Sequence, residues 1–261
     1  AISKQALNGA KLDVVWNMTL AANIISANVQ YGQIEKIKEV AGVQEVILEN
    51  RYEPCVVKQE ETADPNMATS DKMIGSSAAW AAGYTGAGSR IAIIDTGADV
   101  DHPSLDPDAL KYALQGSNAT IMTEADLTDE VLNQLNAYTR KAGLTAADFY
   151  VNEKIPFGFN YVDADTDITH DNDTQGDHGS HVTGIAAGNR FVKDEAGNYV
   201  AALDSVMTQG VAPDAQILTM KVFGKGGGAY DSDYMVAIED AMVLGADAAN
   251  LSLGGSFPGY S

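Results

Sequence analysis

Ile91-Ala92-Ile93-Ile94 is an unbroken apolar run that ends in Asp95-Thr96-Gly97. Side chains alternate between the faces of a strand, so a strand with no polar position must be covered on both. A parallel sheet with helices on either side meets that condition. In such sheets reactive groups collect at the carboxyl ends of the strands, and Asp95 stands at one. Taken alone, a carboxylate there serves equally as a metal ligand, a phosphate-transfer nucleophile, the acid that holds a cofactor ribose, or the acid that orients a histidine.

The choice narrows at His178-Gly179-Ser180-His181-Val182-Thr183-Gly184, followed by Ile185-Ala186-Ala187-Gly188. His178 and His181 have an i, i+3 spacing that would offer a metal two ligands on one helix face. A metal site asks for further ligands at fixed spacing, and no Glu lies between the two histidines to serve as the base of a zinc protease. Gly179 and Gly184 remove side-chain bulk instead, which lets a helix start close to neighbouring backbone and pack tightly on a sheet. An aspartate ending a buried strand, then a histidine opening a helix, follows one chain order of the serine-protease triad, in which the serine comes last.

The two motifs together resemble those of the subtilisin (peptidase S8) serine proteases. The resemblance implies that His178 is the general base and that Asp95 holds its tautomer and stabilises the imidazolium. Ser180 stands where the family usually has Thr, and Thr183 where it usually has Ala; both are small. His181 is expected to be a packed, hydrogen-bonded helix residue. No cofactor is expected for catalysis.

No Gly-Thr-Ser-Met-Ala-like nucleophile segment occurs among the 261 residues. In the family the serine and the oxyanion-stabilising asparagine follow the segment that Asn250-Leu251-Ser252-Leu253-Gly254-Gly255 matches. The expectation is therefore the N-terminal part of a catalytic domain, cut at both ends from a longer precursor and inactive as a peptidase alone. A pseudoprotease acting as a binding or folding module is the rival from another class.

Substrate contacts are expected from the last third. The apolar strand Gln216 to Phe223 leads into a glycine-rich edge, Gly224 to Ala229, then a helix from Asp233 to Leu244 and a strand from Ala246 to Leu253. A bare edge offers unpaired N–H and C=O groups to an extended peptide. By resemblance, Gly227, Gly228 and Ala229 line one side of the substrate, and Ser252, Leu253 and Gly254 the other; the bland reading of the glycines is turn formation.

Asp95 and His178 are 83 residues apart, whereas minimal subtilisins place the pair about thirty apart. Most of the excess is an insertion at about 106–162, similar to those of the cell-envelope proteinases of lactocepin and C5a-peptidase type. Leu127, Val131, Leu135, Tyr138 and Ala142 predict an amphipathic helix there, with Thr123 or Thr128 as cap and Gly143 as stop. Its default role is surface elaboration, with substrate selection as the alternative.

Upstream, Ile25, Ala27 and Val29 alternate with polar residues and predict a strand with one buried face. Ile34, Ile37 and Ala41 recur at helical spacing, and Val43 to Leu48 reads as a second strand. This pattern resembles the later part of the subtilisin propeptide (I9 inhibitor type), with the earlier part truncated or compressed into residues 1 to 24. The expected organisation is a small α+β propeptide at 1–60, a linker at 61–72 with a processing site between about Val56 and Lys72, and at 73–261 the α/β catalytic part. That part begins with an apolar helix from Met73 to Trp80. Its parallel sheet would carry helices on both faces.

Two acidic runs, Asp163 to Asp167 and Asp171 to Asp177, precede His178. Dense oxygen ligands suggest calcium, but neither run keeps the register of the helix-loop-helix calcium template, and Ser104 replaces the family's calcium-site Asp after His102-Pro103. A solvated acidic rim to the cleft is the alternative. The net charge of -20 and pI near 4.3 argue against nucleic acid or an anionic lipid surface as partner. No apolar run approaches the ~18 residues of a membrane span. A single cysteine, Cys55, excludes an internal disulfide framework. The resemblance implies polypeptide substrates, the chain's own propeptide as inhibitor, and a secreted or cell-envelope location.

Overall fold

The computed structural model describes residues 1–54, 70–171, 173–206 and 208–254. Most of the expected linker and processing stretch, through residue 69, lies outside them. The strands are β1 (Asp13–Met18), β2 (Ile24–Asn28), β3 (Arg51–Pro54), β4 (Arg90–Asp95), β5 (Phe157–Asn160), β6 (Phe191–Lys193), β7 (Tyr199–Ala201), β8 (Gln216–Lys221), β9 (Ala229–Tyr230), β10 (Ala248–Asn250) and β11 (Leu253–Gly254). Four of them form the central sheet in the order β10-β4-β8-β5, every pair parallel. The expected α/β architecture is present.

Both faces of that sheet are covered, as the apolar run required. Ala92 and Ile94 of β4, with Leu218 and Met220 of β8 and Phe157 and Phe159 of β5, pack with Val236, Ala237 and Ala241 of the Asp231–Val243 helix. Ile93 and Ile217 face the other way, toward Val182, Ala186 and Ala187 of the His178–Ala187 helix. Asp95, two residues beyond Ile93, therefore points to the side that carries His178.

Several elements depart from expectation. Val43 to Leu48 forms no strand, and Ile47 and Leu48 stand 71% and 66% exposed. The antiparallel partner of β2 is instead β1, which a short connection brings alongside at little loop-closure cost. The buried residue of β2 is Ser26, while Ile25 is exposed, because the face turned toward the Asp231–Val243 helix brings the Ser26 hydroxyl to Ser232. Met73 to Trp80 is broken at Gly75, in the left-handed conformation with φ +82°, into the helices Ser70–Ile74 and Ser76–Ala81. The last expected strand is divided into β10 and β11.

The insertion stripe is likewise not one helix. It is divided into Glu124–Asp126, Asp129–Leu132, Asn136–Arg140 and Ala146–Phe149. Thr123 and Thr128 both cap, and Leu127 and Leu135 are buried as the stripe required, but Ala142 is exposed. The cause is a tertiary cap: Asp240, on the Asp231–Val243 helix, accepts from the backbone N–H groups of Asn136 (2.7 Å) and Ala137 (2.9 Å) and from the Tyr161 hydroxyl (3.0 Å). A new helix start is thereby favoured at Asn136.

Burial pushes the Asp240 carboxyl up to about 6 against those donors. The folded chain therefore binds this proton more tightly than the unfolded one. The stabilisation is complete below about pH 4 and is lost as pH rises through about 6, on the order of 3 kcal/mol in all. Urea unfolding of wild type and Asp240→Asn across this range should show their stability difference shifting against wild type as pH rises. A difference independent of pH would refute the assignment.

Candidate active site

At the end of β4, the Asp95 carboxylate meets the first residue of the His178–Ala187 helix. His178 Nδ1 lies 2.7 Å from Asp95 Oδ1, with the two side chains 17% and 1% exposed. The same oxygen accepts from the Thr96 backbone N–H at 2.7 Å. Burial holds the Asp95 carboxyl above the ordinary aspartate value, while the His178 and Thr96 donors pull it down. A carboxylate on Nδ1 orients the ring and leaves Nε2 as the nitrogen able to exchange a proton with another group.

Close backbone approach makes this geometry possible. A Cβ on Gly179 would fall 2.2 Å from the Gly97 carbonyl oxygen, so only glycine lets the helix start seat on the Thr96–Gly97 turn. The Thr96 hydroxyl accepts from the Gly179 N–H at 2.8 Å. His181 departs from expectation: the residue is exposed rather than packed. Ser180 has a role the motif did not disclose: its hydroxyl accepts from the Asp99 N–H (2.7 Å) and pairs with His170 Nδ1 (3.1 Å).

Lys221 went unrecognised in the sequence, although a lysine inside a strand buried on both faces was the available signal. Its ammonium, wholly buried, donates to the Thr96 carbonyl at 2.7 Å and pairs with Asp173. One cation thus ties the turn after Asp95 to the loop that leads into His178. That loop is in turn tied to the glycine-rich loop before β9, through Gln175 to the Gly224 carbonyl and Thr174 N–H to the Lys225 carbonyl.

A second feature occupies the glycine-rich edge. β3 lies between β9 and β11, antiparallel to both, with Tyr52 opposite Ala229, Arg51 opposite Tyr230, Glu53 opposite Gly254 and Leu253 opposite Pro54. Arg51 donates to the Gly227 carbonyl at 2.8 Å and passes so close that a Cβ on Gly228 would lie 2.2 Å from its Nε. The Tyr52 ring meets Tyr234 edge-on at 5.6 Å. Ser252 is turned to Asn250, donating to its side-chain oxygen at 2.9 Å.

Among the described residues no group of three or more His, Cys, Asp or Glu is disposed to hold a metal ion. Carboxylates of the acidic runs serve the loop itself. Asp163 accepts from Asn160 and from the Lys225 N–H, and Asp167 from Thr169.

Residues 86–260 match the family model described as the subtilase family. The chain belongs to the subtilase family. Its relatives include a PI-type proteinase of Lactococcus lactis subsp. cremoris, 33% identical over 239 residues covering 89% of this chain and 10% of the relative. The minor extracellular protease Vpr of Bacillus subtilis is 30% identical over 213 residues, 80% of this chain and 19% of that protein. A C5a peptidase of Streptococcus pyogenes is 29% identical over 178 residues, 67% and 13% of the two chains. The chain thus spans about a tenth of the length of the first of these subtilases. Among the described residues no helix is long and apolar enough to cross a membrane.

Proposed function

We propose that this chain supplies the aspartate and histidine of a serine endopeptidase that cleaves extended polypeptides through an acyl-enzyme. The observation that carries the reading is the Asp95–His178 contact of 2.7 Å at the carboxyl end of a subtilase sheet. His178 Nε2 takes the proton of a serine hydroxyl as it attacks the scissile carbonyl and returns it to the leaving amine. Asp95 holds Nδ1–H throughout. No nucleophile segment for that serine occurs among these 261 residues, and the chemistry needs no metal. A secreted or envelope-bound setting is proposed from relatives such as the one named an extracellular protease.

Residues 1–60 act in this proposal as propeptide: folding aid and inhibitor. The position of β3 between β9 and β11 supports it, since a third strand there takes the backbone hydrogen bonds that an extended substrate would use. Glu239 anchors the same unit by accepting from the Leu20 and Ala21 N–H groups, both at 2.7 Å. Refolding of the complete catalytic domain without residues 1–60 should be slow, and adding them in trans should both speed recovery and inhibit the product. Unaided refolding at the same rate with no inhibition would leave them an ordinary accessory domain.

A further inference from the structure

The N-terminal unit buries its apolar side chains in two places. Ala6, Leu7, Ile37 and Val40 form a small cluster of their own, whereas Trp16 and Met18 belong to the core of the catalytic part. Ile24 and Ile25 remain 41% and 51% exposed. Trp16 and Met18 are therefore the fully buried residues through which β1 docks on that core, and the β1–β2 register shifts between Val14 and Trp16.

The Trp16 side chain is 2% exposed and its surroundings satisfy both its edge and its face. The indole N–H donates to Asp233 at 3.0 Å, and the ring meets Tyr161 at 5.9 Å, tilted by 50°. The Arg140 guanidinium lies 5.5 Å from the ring centroid. Arg140 ends the Asn136–Arg140 helix of the insertion, against which β1 packs. Asp240 holds the start of that helix and the Tyr161 hydroxyl together, so two walls of the socket are positioned by one carboxylate. An aromatic anchor in a desolvated pocket, with a cation over its face, is the pattern of an interface hot spot.

We propose that the insertion, together with Asp233 of the Asp231–Val243 helix, forms an indole-binding socket for Trp16, and that this socket sets how long the N-terminal unit stays on the catalytic domain. The proposal rests on the reading of residues 1–60 as a separable inhibitor. It assigns the Asn136–Arg140 helix a binding role in place of bare surface elaboration.

Native-state hydrogen exchange of the 261-residue chain tests it without any peptidase turnover. Undocking exposes the Leu20 and Ala21 amides that Glu239 now holds. Trp16→Ala should speed their exchange about a hundredfold, with the amides of β4 and β8 unchanged. Because this variant can disturb the β1–β2 hairpin itself, the deciding variant lies on the other side of the interface. Arg140→Leu should speed the same amides about three- to tenfold, and Arg140→Lys should recover part of the protection. Unchanged exchange in Arg140→Leu, or an equal acceleration in β4 and β8, would overturn the socket. An anchor seen here with no inhibition in the refolding experiment would overturn the inhibitor reading alone, and inhibition with unaltered exchange would overturn the socket alone.

Discussion

Replacing Asp95 with asparagine in the full-length protein is expected to lower peptide hydrolysis about ten-thousandfold while the fold is retained. Asp95 Oδ1 lies 2.7 Å from His178 Nδ1, and in the proposed mechanism this contact keeps the proton on Nδ1 and leaves a lone pair on Nε2. An amide of the same shape can present its NH2 to Nδ1 instead. The ring then carries its proton on Nε2 and cannot accept one from a serine. Asp95 is almost fully buried, so no water restores the lost acceptor at once. His178→Ala should be at least as severe, and His181→Ala, at an exposed position, should stay close to wild type. Turnover by folded variants, checked by circular dichroism, decides the matter. Activity lost in His181→Ala but kept in His178→Ala would reverse the assignment.

Lys221→Met is expected to destabilise the chain by about 3–5 kcal/mol, the usual cost of stranding one member of a buried ion pair. Lys221 and Asp173 side chains are 0% and 1% exposed, and Asp173 Oδ1 has no hydrogen-bond partner among the described residues. Without the ammonium, Asp173 must either remain charged in a site closed to water or take up a proton. The Thr96 carbonyl loses its donor in the same step, loosening the turn on which the His178 helix rests. The double substitution Lys221→Met with Asp173→Leu should recover much of the loss, since it removes both charges together. Urea midpoints provide the measurement. A Lys221→Met chain within about 1 kcal/mol of wild type would show that water reaches the pair.

That Asp95 ends a covered strand and His178 opens a helix was legible in the sequence because both motifs are local. An apolar run bounded by Asp-Thr-Gly specifies strand, two covered faces and a carboxylate at the end; His-Gly opening a small-residue helix specifies close packing. The capping threonines of the insertion and the glycine-rich edge before β9 were legible for the same reason. Each depends on neighbours a few residues away.

What the tertiary structure alone decided has longer reach. Alternation along β2 placed the apolar set Ile25, Ala27 and Val29 inward, but the buried face is that of Ser26; a period of two specifies alternation and leaves open which side meets a partner. The stripe from Leu127 to Ala142 has helical spacing, yet the Asp240 carboxylate, more than a hundred residues away in sequence, caps a new start at Asn136. Lys221 reads as an oddity in its strand until Asp173 and Thr96 are brought to it. The placement of β3 between β9 and β11 likewise joins three segments distant in the chain. Sequence determined which residues could do acid–base chemistry and on which elements they sit. Which charges are paired, which face is buried and which strand lies between β9 and β11 were decided by packing, because burial and hydrogen-bond satisfaction belong to the assembled core and not to any one segment of it.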